Sequence, residues 1–164
     1  MKVDLKLVIV VTVLIMTVGN GDGCGSGSGG GGHRRSYPHD VRSRERLTPI
    51  YNEPVVKVTE YERPLNGWKR KYGPLKHSGV VVQTKDGKTH LVHKGNDYGR
   101  SSNTVVVDTK HMSSKWERTG KSRAGRPGET VGDFVKRGGK DYNAMNDNCH
   151  DATKNNMDPK GKTP

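Results

Sequence analysis

At 164 residues and 18.0 kDa, the chain has room for one domain and its tails. Lys+Arg number 29 against 17 Asp+Glu, a net charge of +12, and only 5% of residues are aromatic. This balance draws the chain to anionic surfaces such as sulfated glycans or lipid headgroups. Nucleic acid, which such a charge could also attract, is discounted because the chain reads as exported and a single Phe and scattered Tyr make no stacking platform; no Gly-rich stretch carries a P-loop lysine, so nucleotide binding has no support.

The N-terminus reads as an export signal. MKVDLK supplies two lysines, Leu7 to Val18 is a largely apolar run, and small residues follow. A bilayer span needs about 20 apolar residues, so a cleaved signal over residues 1–19 fits better than an anchor. The cut is expected between Gly19 and Gly25, and the mature chain carries no transmembrane segment. Export to the extracellular space is the expected destination. Cleavage removes Lys2, Lys6 and Asp4 and leaves a net charge of +11.

Residues 20–49 are expected to form a disordered arm. Gly25 to Gly32 (GSGSGGGG) has linker composition, and His33 to Arg46 is basic without an apolar period. Order is expected from residue 50 to residue 158, with residues 159–164 as a tail. VVKVTEY alternates and predicts a strand. Two β-rich runs flank Asp86-Gly87 between Lys76 and Gly95, which predicts a hairpin with a two-residue turn. NTVVVDT predicts a third strand with a buried valine run, and the segment from His111 to Thr130 reads as loop anchored by Trp116. Thr130 to Asp133 resembles a capped start for a short helix ending at Gly138-Gly139. Asn148 caps a helix from Cys149 to about Met157. Strands first and helices last predict a small α+β domain built on an antiparallel sheet.

Cys149 admits three readings. A disulfide to Cys24 would tie the arm to the domain, but small secreted domains that need disulfides usually carry four or more cysteines. The thiol can equally fill a small core. As a nucleophile it would sit in the first turn of a capped helix, where amide groups and the helix dipole favour a thiolate and an oxyanion. Asp147 and Asp151 oppose that effect. Local features leave filler and nucleophile evenly matched.

The residues His77-Ser78-Gly79-Val80-Val81-Val82, then Leu91-Val92-His93, then Asn148-Cys149-His150-Asp151-Ala152 carry a further signal. This order resembles the permuted papain-like group: lecithin:retinol acyltransferase-like proteins, NlpC-type cell-wall peptidases and deSUMOylating isopeptidases. Tyr142-Asn143 ahead of Asn148-Cys149 is similar to the isopeptidase spacing. The resemblance covers about Lys76 to Met157. It implies a permuted papain-like fold, with Cys149 as nucleophile, His77 as its base and His93 orienting or polarising His77. His-Asp-Ala follows the cysteine where the group often has aromatic residues, and the mature chain has no apolar membrane segment. A soluble amide or thioester substrate is therefore favoured over lipid acyl transfer.

A two-residue turn at Asp86-Gly87 would pair residues whose numbers sum to 173, placing His93 opposite Val80 and His90 opposite Gln83. His93 would lie about 10 Å along the strand from His77, and His90 about 20 Å. The same register would point His93 away from His77 unless a bulge, for instance at Gly79, reversed it. His90 and His93, three apart, complete no zinc set with cysteine or carboxylate. His111 reads as a loop or core residue.

The function expected is a secreted cysteine-dependent hydrolase or acyl transferase acting on an amide, ester or thioester, with no cofactor or metal. Its partners would be an acyl or peptide substrate and an anionic glycan or lipid surface. The alternative is a non-catalytic secreted basic binding protein of the extracellular matrix, a venom or a defence secretion.

Overall fold

The structure is a computed structural model that describes residues 44–65, 69, 71, 73, 75–99 and 101–158. The expected signal segment, Cys24, the Gly-rich tract and the tail lie outside the described residues. The rest is an α+β domain. Helix α1 (Arg44–Tyr51) is followed by strands β1 (Val55–Pro64), β2 (Lys76–Thr84), β3 (Thr89–Lys94), β4 (Thr104–Asp108) and β5 (Glu117–Ala124), then by α2 (Val131–Gly138) and α3 (Cys149–Met157). The five strands form one antiparallel sheet in the order β4-β3-β2-β1-β5.

The β2–β3 hairpin carries the predicted pattern but not the predicted turn. Thr84 N donates to Lys88 O at 2.9 Å and Gly87 N donates to Thr84 O at 3.0 Å. The loop is thus three residues, Lys85-Asp86-Gly87, with Gly87 at φ 86°. A type I turn followed by a left-handed glycine is the common three-residue solution, and it adds one residue to the loop. The register shifts accordingly: Gly79 faces His93, Val80 faces Val92 and Val82 faces His90. One residue of slip reverses which face each β3 side chain takes relative to β2. His93 therefore shares a face with His77, and the parity objection to their pairing falls away.

Both faces of the sheet are covered, so β4 reads as an unbroken valine run rather than an alternation. Val58, Val80, Val82, Val92 and Val106 pack with Val131, Phe134 and Val135 of α2. On the other face Leu91, Val105 and Val107 pack with Val81, Tyr98, Met112 and Trp116.

Two expectations need correction. The segment after Trp116 is not all loop: Glu117–Ala124 is an edge strand paired with β1. Its side chains are mostly exposed and polar, so it presents no apolar alternation to read, and charged edges of this kind discourage further strand pairing. Residues 44–49, expected within the disordered arm, are helical. Ile50 and Tyr51 at the end of α1 pack on the first core, which supplies the support that composition does not suggest.

Both later helices form as the sequence predicts. At the start of α2, the Asp133 carboxylate accepts from Thr130 N and Thr130 Oγ1 at 2.9 and 3.1 Å. Phe134 is fully buried between the guanidinium groups of Arg123 and Arg137, 5.3 and 4.4 Å from the ring centre. Buried Glu129 holds both arginines: Arg123 grips it with two 2.9 Å bonds, and Arg137 also donates to it. These partners outweigh burial and bring the Glu129 carboxyl down to about 2. Among the described residues no helix is long and apolar enough to cross a membrane.

Candidate functional site

Helix α3 begins where two side chains satisfy each other's backbone. Asn148 Oδ1 accepts from His150 N at 2.8 Å and Asp151 N at 3.3 Å, while Asp151 Oδ2 accepts from Asn148 N at 3.1 Å. Ahead of it Asn143 and Asp147 exchange backbone bonds at 2.9 Å, and Asn148 Nδ2 donates to Ala144 O. The fully buried Lys94 side chain donates to Asp147, tying this turn to β3 one residue beyond His93. Neither aspartate then acts as a bare charge beside Cys149: Asp147 is paired with Lys94, and Asp151 completes the cap.

Cys149 is a buried free thiol. Ser78, the residue after His77, is its main contact from the sheet. Ser78 Oγ donates to Cys149 O at 3.1 Å and lies 2.9 Å from His150 Nδ1. Burial pushes the thiol above its ordinary value. Bonds from the Ser78 amide and hydroxyl, and from the Cys149 and His150 amides, pull the other way. The resting thiol is protonated, and the depressed thiol expected from the helix N-terminus is outweighed by desolvation.

The histidines meet on the opposite side of β2 from the Ser78 side chain, as strand alternation requires. His77 Nε2 and His93 Nδ1 are 3.0 Å apart, their rings edge to face with centroids at 5.3 Å. Gly79 makes this contact feasible. It stands opposite His93, and a Cβ there would lie 2.8 Å from His93 Cβ and 3.0 Å from Val92 O. The β2–β3 pairing is regular at Gly79, so this glycine clears space for an imidazole rather than forming a bulge.

Around the pair stand Tyr98 and Trp116, each touching both rings at centroid distances of 5.1 to 5.9 Å. Burial first, then the facing imidazole and the Arg63 charge, hold His77 well below its ordinary value. Burial and Arg63 bring His93 down to about 3. Both rings are neutral at physiological pH and share one hydrogen in their bond. The Cys149 charge also adds to the burial that raises Tyr142 to about 12 and acts in the same direction on Tyr98.

The structure brings His77 and His93 into direct contact and places Cys149 against the residue next to His77. No hydrogen bond joins the thiol to His77; the Ser78 groups hold it instead. His90 serves elsewhere, with Nε2 2.8 Å from Glu53 Oε2. His111 is exposed in a single 3-10 turn, Thr109–His111. Among the described residues no cluster of His, Cys, Asp or Glu is arranged to hold a metal ion.

Sequence reasoning missed Ser78, Lys94, Arg63 and Tyr98. Ser78 was within reach, because a residue adjacent to a site histidine on a strand must address the other face. Arg63 becomes visible only with the β1–β2 register, which sets it opposite His77. No protein-family model, curated protein or solved structure matches the chain.

Proposed function

We propose that the chain is a secreted, permuted papain-like cysteine hydrolase or acyl transferase acting on an amide, ester or thioester. The observation that carries this reading is the 3.0 Å contact between His77 Nε2 and His93 Nδ1, beside a strand whose next residue holds Cys149. With Nε2 engaged by His93, Nδ1 is the His77 nitrogen left to receive the thiol proton.

The chemistry follows from that assignment. Sγ of Cys149 attacks the acyl carbon while its proton passes to His77 Nδ1, either directly or through one water. His77 becomes an imidazolium whose Nε2–H donates to His93 Nδ1. His93 keeps that lone pair available because burial holds it unprotonated. The oxyanion forms among the groups that face the thiol, the Ser78 and Cys149 amides and the Ser78 hydroxyl. His77 then returns the proton to the leaving amine, alcohol or thiol, and water or an acceptor amine cleaves the Cys149 thioester. Contacts between nucleophile and base are often loose before substrate binds, so a thiol first held by Ser78 suits this order of events.

The test is covalent trapping. Incubation with an activated acyl ester should add the mass of the acyl group to Cys149, and His77→Ala should slow that acylation by about a hundredfold or more. No acyl adduct on Cys149, or equal acylation of the two proteins, would refute the reading.

A further inference from the structure

The Ser78 hydroxyl has more neighbours on α3 than it has hydrogens. Its Oγ donates to Cys149 O at 3.1 Å, lies 2.9 Å from His150 Nδ1, and also bonds the Cys149 thiol. Ser78 is 1% exposed, so these are the groups that must satisfy it. A hydroxyl has one hydrogen and two lone pairs. Cys149 O can only accept, so at rest it takes the Ser78 hydrogen. A bare His150 Nδ1 would compete for that same hydrogen, whereas an Nδ1–H donates to Oγ and satisfies both contacts at once. The hydrogen count therefore sets His150 as the Nδ1–H tautomer. Its backbone is anchored in the first turn of α3, where His150 N donates to Asn148 Oδ1 at 2.8 Å.

Ionisation of the thiol changes what the hydroxyl faces. A hydrogen bond to a charged acceptor is roughly twice as strong as one to a neutral carbonyl, and Sγ becomes such an acceptor once its proton leaves. Rotation about the Ser78 Cβ–Oγ bond is all the hydroxyl needs to redirect its hydrogen.

We propose that the His150 imidazole is a positioning group for the nucleophile: its Nδ1–H holds Ser78 Oγ in place, so that the Ser78 hydrogen, given to Cys149 O at rest, turns to Sγ as the thiolate forms. This deepens the cysteine-hydrolase reading above and rests on it for the use made of the thiolate. No covalent bond of Ser78 changes, and the thiol proton follows the route to His77 already described. The other ionisable groups around the thiol are His77 beside Ser78, Tyr98, Tyr142, the Lys94–Asp147 pair and Asp151 of the cap. All of them stay the same when Ser78 or His150 is replaced.

The pH midpoint of iodoacetamide alkylation, followed on the Cys149 peptide of the full chain, reads the thiolate. Ser78→Ala should raise it by about one pH unit, and His150→Ala should raise it by no more than that. The double variant should match Ser78→Ala alone, because an imidazole that works through the hydroxyl then has nothing to work through. His150→Asn, whose amide nitrogen stands where Nδ1 stood, should keep most of the wild-type value. Nitrogen NMR of the unsubstituted protein in mildly alkaline solution should show His150 in the Nδ1–H form. An Nε2–H form, or a His150→Ala midpoint equal to wild type, would overturn the inference even if Ser78→Ala fails to fold. A double variant shifted by the sum of the single shifts would overturn it too. Either result alongside acylation of Cys149 that still depends on His77 would sink the His150 role alone. The expected shifts in a protein whose Cys149 takes up no acyl group would remove the enzyme reading and leave the hold of Ser78 and His150 on the thiolate standing.

Discussion

Helices α2 and α3 begin alike and bury opposite things. Each starts with a polar cap residue matched by an aspartate three positions on, and each packs on the same face of the sheet. α2 turns Val131, Phe134 and Val135 inward, whereas α3 turns Cys149, Ala152, Thr153 and Asn156 inward. An apolar face stabilises a fold at roughly 25 cal/mol per Å² removed from water. A face of thiol, hydroxyl and amide groups gains less and demands partners, here Ser78 for Cys149 and Phe134 O for Asn156 Nδ2. α2 supplies an apolar face to the core, and α3 buries polar groups that each need a partner.

Acid should produce the largest effect, and it acts on the histidine pair of the sheet and on the brace of α2. An unfolded histidine takes up a proton near pH 6.5, whereas His93 in the folded protein resists until about 3. Stability from this group is complete above pH 6.5 and declines as pH falls toward 3. Glu129, which braces α2 through its arginines, stands at about 2 against an ordinary 4.5. Its contribution is present above pH 4.5 and is lost as pH falls toward 2. Urea midpoints measured at pH 7, 5 and 3 should therefore decline in two stages; equal midpoints at pH 7 and 5 would contradict the first assignment, and no further decline by pH 3 would contradict the second.

Phe134→Ala comes next. It empties the centre of the α2 face and removes the ring between Arg123 and Arg137, which should cost about 3–5 kcal/mol in denaturant unfolding. A loss below about 1 kcal/mol would show that α2 is not the main support.

Gly79→Ala targets the other side of the comparison. Its Cβ must displace His93 or the β3 backbone, at about 1–3 kcal/mol. It should slow acylation of Cys149 by more than the stability change explains, because the His77–His93 contact opens. Unaltered acylation in a folded Gly79→Ala protein would show that this contact is not needed.

Asn148→Ala is the smallest. Losing the cap of α3 should cost about 1 kcal/mol, measurable as a lower urea midpoint with the Cys149 labelling rate altered at the same time. Equal stability in the two proteins would remove Asn148 from the account.

The sequence carried more of this site than of its surroundings. The elements that carry His77, His93 and Cys149 were readable because strand, hairpin and cap signals are local, and Asn148 and Thr130 both mark helix starts. The face shared by His77 and His93 was not readable. It turns on one residue of loop length at Asp86-Gly87, and both turn types accept that dipeptide. β5 escaped notice because an exposed edge strand needs no apolar period, and α1 because Ile50 and Tyr51 gain their meaning only from the core they meet. The raised thiol of Cys149 was not readable for a related reason: a helix N-terminus is written in sequence, whereas the burial that outweighs it arises from β2 and its neighbours.

The most direct measurement is the rate of iodoacetamide alkylation of Cys149 against pH, in wild type and in His77→Ala. With the thiol raised and His77 lowered by burial, alkylation should be slow at pH 6 to 7 and climb in alkaline solution. His77→Ala should slow it further at neutral pH and converge with wild type in alkali, where the thiol ionises unaided. Superimposable profiles would mean that His77 takes no proton from Cys149, and would leave the basic surface of a binding protein as the feature to pursue.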